Sequence, residues 1–359
     1  MALRDLFSTI SIKPTTAKRV VGIDMGASSI KVVELENRND VITLTTYGEM
    51  QLGPYDEGKA VGQATVLVPS LERQALVDIL RESAVKAKSA VFAMPLSSSF
   101  VTTMSLLADP KEDISPRVRV EARKYIPIPM SEVTLDWAEV DTKLDDNPNS
   151  RNVLLAAIQN DALNRFTTLL QTVEFRNPPT EIECFSTIRS LYTTVEQNIA
   201  IIDIGAISTK MYLVRGGLLQ RMYRVRAGGT LYTEKLASEL GVSFEEAETL
   251  KRGIKTGDSQ FGQLQKLHVG MYSRVLREFA QVLQEYEAQV GAPVSSVLLT
   301  GGGVFFPQTE SFVTDALGRP AVIVQPFNKV AYPAFMEDTM NQIGASFSVA
   351  LGAALREFE

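Results

Sequence analysis

The sequence predicts an α/β protein built from two copies of one β-rich half, with a small α+β module set into the first copy. Three observations carry this. First, Gly22–Val33 and Ile201–Tyr212 share Ile, Asp, Gly, Ala, Ser and Lys at the same offsets when aligned on Asp24 and Asp203. Each reads as an apolar strand, a tight turn carrying Asp-x-Gly-Ala, and a second β-rich strand, which is a hairpin with its polar groups at the tip. Second, between the copies lies a strand-helix-strand-strand-helix run that neither half repeats. Third, Ser296–Thr300 reads as a strand running into Gly301, Gly302 and Gly303 and then into a helix.

Composition narrows the chemistry. The 359 residues are 45% hydrophobic and 22% charged, with a formal net charge of −6, so nothing suggests a basic nucleic-acid surface. Cys184 is the only cysteine and His268 the only histidine. An internal disulfide, a cysteine zinc site, a histidine triad and a multi-histidine metal site are thereby excluded. Any bound metal is expected to be held by oxygen. No window of about 18 apolar residues occurs, so no membrane-spanning helix is expected. Leu3, Leu6, Phe7 and Ile10 share one helical face, as a small membrane- or partner-docking helix or a flexible leader packed on the body would; the segment is too short and charged for a signal peptide, and a cytoplasmic protein is expected.

Taken in order, Val41–Gln51 follows the first hairpin as a third strand. Ser70–Lys86 has helical spacing, and Ala90–Met94 is a short apolar strand stopped by Pro95. The module then runs through a strand over Phe100–Leu107, a helix from Ser115 to Tyr125, strands over Val133–Val140 and Arg151–Ile158 separated by a turn at Asp145–Asn149, and a helix over Asp161–Val173. Pro116, early in its helix, fits a helix start. Glu181–Val195 is read as a connecting helix. The second copy gives a three-strand meander to Arg226, helices over Thr230–Leu240 and Ser243–Gly253 (Ser243 and Glu246 stand in capping-box spacing), and a long helix over Met271–Val290. After the glycine triplet come a helix from Pro307, a strand over Val322–Val324 and a closing helix over Ser346–Glu359.

The paired hairpins suggest a chemistry. Glycine lets backbone pass close to a ligand and leaves N–H groups free to face an anion. An Asp beside such a loop would repel a phosphate unless a cation lay between them, which points to Mg²⁺. A single Asp-x-Gly hairpin is also what an ordinary turn looks like. Two, facing each other across a cleft, could hold a metal–triphosphate from both sides. The glycine triplet fits either a nucleoside lying on open backbone or a turn that needs positive φ. Neither G-x-G-x-x-G nor G-x-x-x-x-G-K-[ST] is present, so dinucleotide-fold and P-loop readings are set aside.

These elements, in this order and around an inserted module, resemble the actin-like (ribonuclease H-like) ATPase superfamily. Within it the module's position resembles the FtsA branch, and the runs Gly22–Leu35 and Glu121–Pro129 resemble the PilM family of type IV pilus assembly. The resemblance implies a flexible segment over 1–19, a first half-domain over 20–98 and 174–198 with the helix 345–359 packed on it, and an inserted subdomain over 99–173. The second half-domain is then 199–240 with 289–344, and a helical subdomain spans 241–288. It implies that Asp24 and Asp203 orient Mg²⁺ through its water shell. Gly26, Ala27 and Ser28 on one side, and Gly205 and Ala206 on the other, would cradle the phosphates of ATP, with Lys31 as a phosphate-binding lysine or a solvated strand residue. Gly301, Gly302 and Gly303 would lie against the nucleoside. Glu248 and Lys251, at i and i+3 on a helix, would contact ribose and base or form a plain ion pair.

Ala206 stands where actin has a second acid, and Glu183 where chaperone relatives place a water-orienting acid, so slow or negligible hydrolysis is expected. The resemblance further implies a PilN-like inner-membrane partner whose cytoplasmic N-terminal peptide docks on the module. Tyr125, Ile126, Pro127, Ile128 and Trp137 are its candidate contacts; Ile128 and Trp137 fit equally as module core. FtsA-like proteins carry a membrane-targeting helix after the closing helix, and its absence here favours recruitment through a protein. An FtsA-like filament protein and a metabolic kinase of the same superfamily are the alternatives.

Overall fold

The first hairpin pairs as its sequence implies: β1 (Arg19–Met25) lies antiparallel to β2 (Ser29–Arg38), with Asp24 opposite Lys31. A computed structural model describes residues 19–109, 111–140, 150–175, 179–192 and 198–358. The apolar face at Leu3, Leu6, Phe7 and Ile10 and the turn at Asp145–Asn149 fall outside the described residues. β3 (Val41–Gln51) continues the meander, α1 (Pro69–Glu82) packs on it, and β4 (Ser89–Met94) joins β1 in parallel.

The module follows as β5 (Ser99–Leu107), α2 (Ser115–Glu121), β6 (Val133–Glu139), β7 (Ser150–Gln159) and α3 (Asn160–Gln171). Its antiparallel sheet has the order β5-β7-β6, so β6 is an edge strand. Met104, Ile114, Val118, Ile126, Val153 and Leu155 form its separate core. The helix expected to reach Tyr125 changes to a 3-10 turn at Ala122–Lys124, ahead of Pro127 and Pro129.

One element differs from expectation in kind. The run expected to be helical from Glu181 opens instead as β8 (Thr180–Ile182), parallel to β4, and only then becomes α4 (Glu183–Leu191). Three residues are too few for periodicity to reveal, and the strand exists because β4 offers it a sheet edge. The first sheet is thus β3-β2-β1-β4-β8.

The second half comprises β9 (Asn198–Ile204), β10 (Thr209–Arg215), β11 (Leu218–Val225), α5 (Gly229–Leu240), α6 (Phe244–Gly253) and α7 (Phe261–Val290). β12 (Ser296–Thr300), α8 (Thr309–Leu317) and β13 (Ala321–Ile323) follow. The sheet order, β11-β10-β9-β12-β13, repeats the first sheet strand for strand, with the same two antiparallel and two parallel pairings. α6 carries the expected capping box. α7 begins ten residues before the expected Met271. Gly262 and Gly270 dilute its pattern, but Phe261, Leu264 and His268 are buried along it, and that packing outweighs glycine's cost of about 1 kcal/mol each.

α9 (Glu337–Ile343) is not expected from the sequence, and α10 (Ser348–Leu355) is the last of the described helices. All eight residues of α10 are buried. It packs on β1, β2, β4 and α4 of the first half, while Ser348 at its start meets Thr300 of the second. No helix among the described residues is long and apolar enough to cross a membrane.

Candidate functional site

Between the two sheets lies a cavity of about 690 Å³, lined by both hairpin tips, the glycine triplet and α6. Each tip is built the same way. Gly26 N–H donates to Ser29 O and Gly205 N–H to Ser208 O, both at 3.0 Å, closing the turns. The carbonyls behind them are already occupied: Ala27 O and Ser28 O accept from Thr65 and Leu52, and Gly205 O and Ala206 O from Gly229 and Thr230 at the start of α5. The N–H groups of Ala27, Ser28, Ala206 and Ile207 have no acceptor among the described residues. Each loop therefore presents spare donors to the cavity, as an anion site requires.

The glycine triplet divides its work. Gly301 has φ +88°, and a Cβ there would fall 2.4 Å from Asp203 Oδ1; one on Gly303 would fall 2.3 Å from Ile204 Cγ2. Both let β12 close on the end of β9. Gly302 has nothing within 4 Å of where its Cβ would be, so it supplies the open backbone. The turn and the ligand surface are thus both present, on different residues.

Six acids line the cavity, and five have cations. Lys31 reaches Glu49 (3.3 Å) and Ser29 Oγ (2.9 Å). Arg165 of α3 pairs with Glu72 of α1, and Glu248 with Lys251 and Arg252. Glu248 also accepts from Thr233 Oγ1 at 2.6 Å and is buried, so it is no surface ion pair. Lys210 lies 3.0 Å from both Glu183 and Asp203. Glu183 uses its other oxygen to accept from Leu96 N–H at 2.8 Å. Asp24 alone has no cation within ion-pair distance among the described residues. Burial pushes its carboxyl up to about 7 against the pull of Lys31, with Glu183 adding to the rise. Burial likewise raises Asp203 despite Lys210.

A divalent ion fits this donor set on one side. No group of three acids or histidines could hold a metal among the described residues, so an ion here would rely on phosphate and water oxygens with Asp24 beside them. The sequence reading placed both hairpins, the triplet, Glu183, Glu248 and Lys251, and all of them line one cavity. It assigned no role to Lys210, Glu49, Arg165 or His268. Lys210 was legible, since it stands where Lys31 stands in the other copy. Nothing local marks Arg165.

His268 stacks on Phe306 (centroids 4.3 Å apart) beside Tyr272 at the back of the cavity. Its Nε2 has no hydrogen-bond partner among the described residues, and burial lowers its pKa to about 4. The unfolded chain, with an ordinary histidine near 6.5, therefore takes up a proton first as pH falls, and native stability drops between about 6.5 and 4. From pH 7.5 to pH 5 this group should remove about 2 kcal/mol. His268→Phe is expected to flatten that slope in urea titrations; parallel slopes for the two proteins would refute the assignment.

The module residues separate into two groups. Ile126 is buried in the module's own core, and Ile128 and Trp137 pack half-exposed against it. Tyr125 and Pro127 are exposed, and Trp137 lies on the edge strand β6.

The chain is similar to several solved structures over nearly its whole length. It matches a chain of the PilM–PilN type IV pilus biogenesis complex at 23% identity and TM-score 0.79, covering 97% of this chain and 100% of that one. It matches the ethanolamine utilization protein EutJ from Carboxydothermus hydrogenoformans at 14% identity and TM-score 0.56, over 99% and 95%. MreB5 of Spiroplasma citri bound to AMPPNP matches at 11% identity and TM-score 0.53, over 96% and 95%. These likenesses establish an actin-like fold. A family model described as type IV pilus assembly protein PilM matches residues 22–358, nearly the whole described chain, and the protein belongs to that family.

Proposed function

We propose that this protein is a nucleotide-dependent docking component of type IV pilus assembly. It binds Mg-ATP in the cleft and holds the cytoplasmic N-terminal peptide of a PilN-like inner-membrane protein on its inserted module. The observation that carries the reading is the pair of equivalent loops, each with carbonyls tied back and N–H groups spare, lining one cavity. Such loops suit the β- and γ-phosphates, Gly302 the nucleoside, and the buried Glu248–Lys251 pair the ribose or base. Mg²⁺ beside Asp24 would neutralise phosphate charge. The similar MreB5 structure is bound to AMPPNP, and the similar PilM chain comes from a complex with PilN, which supports both halves of the proposal.

Tyr125 and Pro127 are exposed, Ile128 and Trp137 lie half-exposed against the module core, and Trp137 stands on the edge strand β6; an extended peptide would suit such a surface. Ile126 would support them from the core. Docking through such a peptide would place the protein at the cytoplasmic face of the inner membrane. The link from cleft to module is physical: Arg165 of α3 meets Glu72 of α1 at the cavity wall, and the module's β5 lies against β11 of the second half. Closure of the halves on nucleotide would therefore move the module's supports. With Glu183 engaged by Lys210 and Leu96, turnover should be slow or negligible.

Calorimetric titration with Mg-ATP, with and without a synthetic peptide from the partner's N-terminus, tests this. Both ligands are expected to bind, and nucleotide to change peptide affinity about fivefold or more. Peptide binding without nucleotide binding would leave an adaptor on an inherited scaffold. Nucleotide binding without peptide binding would remove the docking half.

A further inference from the structure

The two hairpins are copies, yet their lysines do opposite things. Lys31 is in register with Asp24 and Lys210 with Asp203. On the next strand, however, Lys31 faces Glu49, whereas Lys210 faces Arg224. Glu49 draws Lys31 aside. Arg224, donating to Ser208 Oγ at 3.2 Å, offers Lys210 only repulsion. Lys210 is buried and sits between Asp203 and Glu183, 3.0 Å from each.

We propose that Lys210 is a resident counter-cation: its ammonium joins Asp203 to Glu183, keeps a divalent ion off the second hairpin, and leaves Asp24 as the carboxylate that meets the nucleotide's metal. The proposal gains its meaning from the nucleotide reading above, but it concerns ion binding and can be tested without nucleotide. A carboxylate already paired with a buried ammonium has no charge to offer a second cation, and an ion entering there would face that ammonium at close range. The same pairing denies Glu183 a free oxygen for orienting water, since Leu96 N–H holds the other one. Lys210 is a positioning residue. The acid that replaces its influence in the first copy, Glu49, also names the change that would undo it.

Mn²⁺ titration followed by electron paramagnetic resonance, at pH 8 and without nucleotide, reads this directly. Lys210→Ala is expected to bind Mn²⁺ at least about tenfold more tightly than wild type, because two neighbouring carboxylates are released to it. Lys210→Arg, which restores the charge, should lose that gain, as should Lys210→Ala combined with Asp203→Asn. Removing a buried ion's partner can prevent folding. Arg224→Glu therefore provides a second route: it copies the Glu49 arrangement, should draw Lys210 away from Asp203, and is expected to raise Mn²⁺ affinity several-fold. A folded Lys210→Ala or Arg224→Glu protein with wild-type Mn²⁺ affinity overturns the proposal. So does a gain that survives Asp203→Asn. Failure of the wild-type protein to bind ATP would count against the nucleotide reading alone.

Discussion

Asp24→Asn is expected to weaken Mg-ATP binding by on the order of 100-fold while leaving the apo protein at least as stable as wild type. The two halves of this result have one cause. Asp24 lies near the end of β1, half-buried beside Glu183 and Asp203, with no cation of its own among the described residues. In the empty cleft its charge is a cost, and asparagine removes it while keeping the shape. With Mg-ATP bound, the same charge faces a metal ion, and losing a charge-assisted contact of this kind costs roughly 2–3 kcal/mol. Stability and affinity should therefore move in opposite directions. Calorimetry for binding and urea unfolding for stability measure the two separately. Unchanged affinity would place the ion elsewhere. Lower apo stability would mean that the carboxylate has a partner in the folded state.

How much of this was readable beforehand depends on distance along the chain. The hairpins were legible because a strand, a turn and a second strand are set by neighbouring residues, and duplication showed that the turns were more than turns. The glycine triplet was legible as a feature but not in its division of labour. That Gly301 and Gly303 serve packing against Asp203 and Ile204 while Gly302 faces open space depends on strands nearly a hundred residues apart in sequence. β8 was misread for the same reason, since Thr180–Ile182 is a strand only because β4 lies beside it. The pairing of Arg165 with Glu72 joins two elements separated by most of the module, and no local pattern announces it. Lys210 is the instructive case. Its offset matched Lys31, so the sequence invited the same role for both. Only the register to β11, which puts Arg224 where the first copy has Glu49, shows why the roles differ.

Gly352→Ala is expected to destabilise the protein by more than about 3 kcal/mol, although helix propensity alone predicts a gain of about 1 kcal/mol. Gly352 lies in α10, and a Cβ there would fall 1.8 Å from the carbonyl oxygen of Ser186 and 2.5 Å from its carbonyl carbon. Those are backbone atoms of α4, so the contact cannot be relieved by a side-chain rotation. Gly352 O also accepts from Arg189, whose guanidinium pairs with the buried Glu181, so separating the two helices would disturb a buried ion pair. On its other side α10 meets β1 as closely: a Cβ on Gly22 would fall 2.0 Å from Ala350 O. The control is Gly270 in α7, which has nothing within 4 Å of its Cβ position. Gly270→Ala should stabilise by roughly 0.5–1 kcal/mol, as propensity predicts. Urea midpoints for both variants decide the matter, and a Gly352→Ala protein as stable as wild type would refute the close packing. The consequence reaches the cleft. Ser348 at the start of α10 bonds to Thr300, and Gly301 N–H donates to Ala345 O just before it, so one buried helix holds the glycine triplet of one half and the Asp24 strand of the other. A variant that loosens α10 without unfolding the chain should therefore bind nucleotide more weakly with every cleft residue intact.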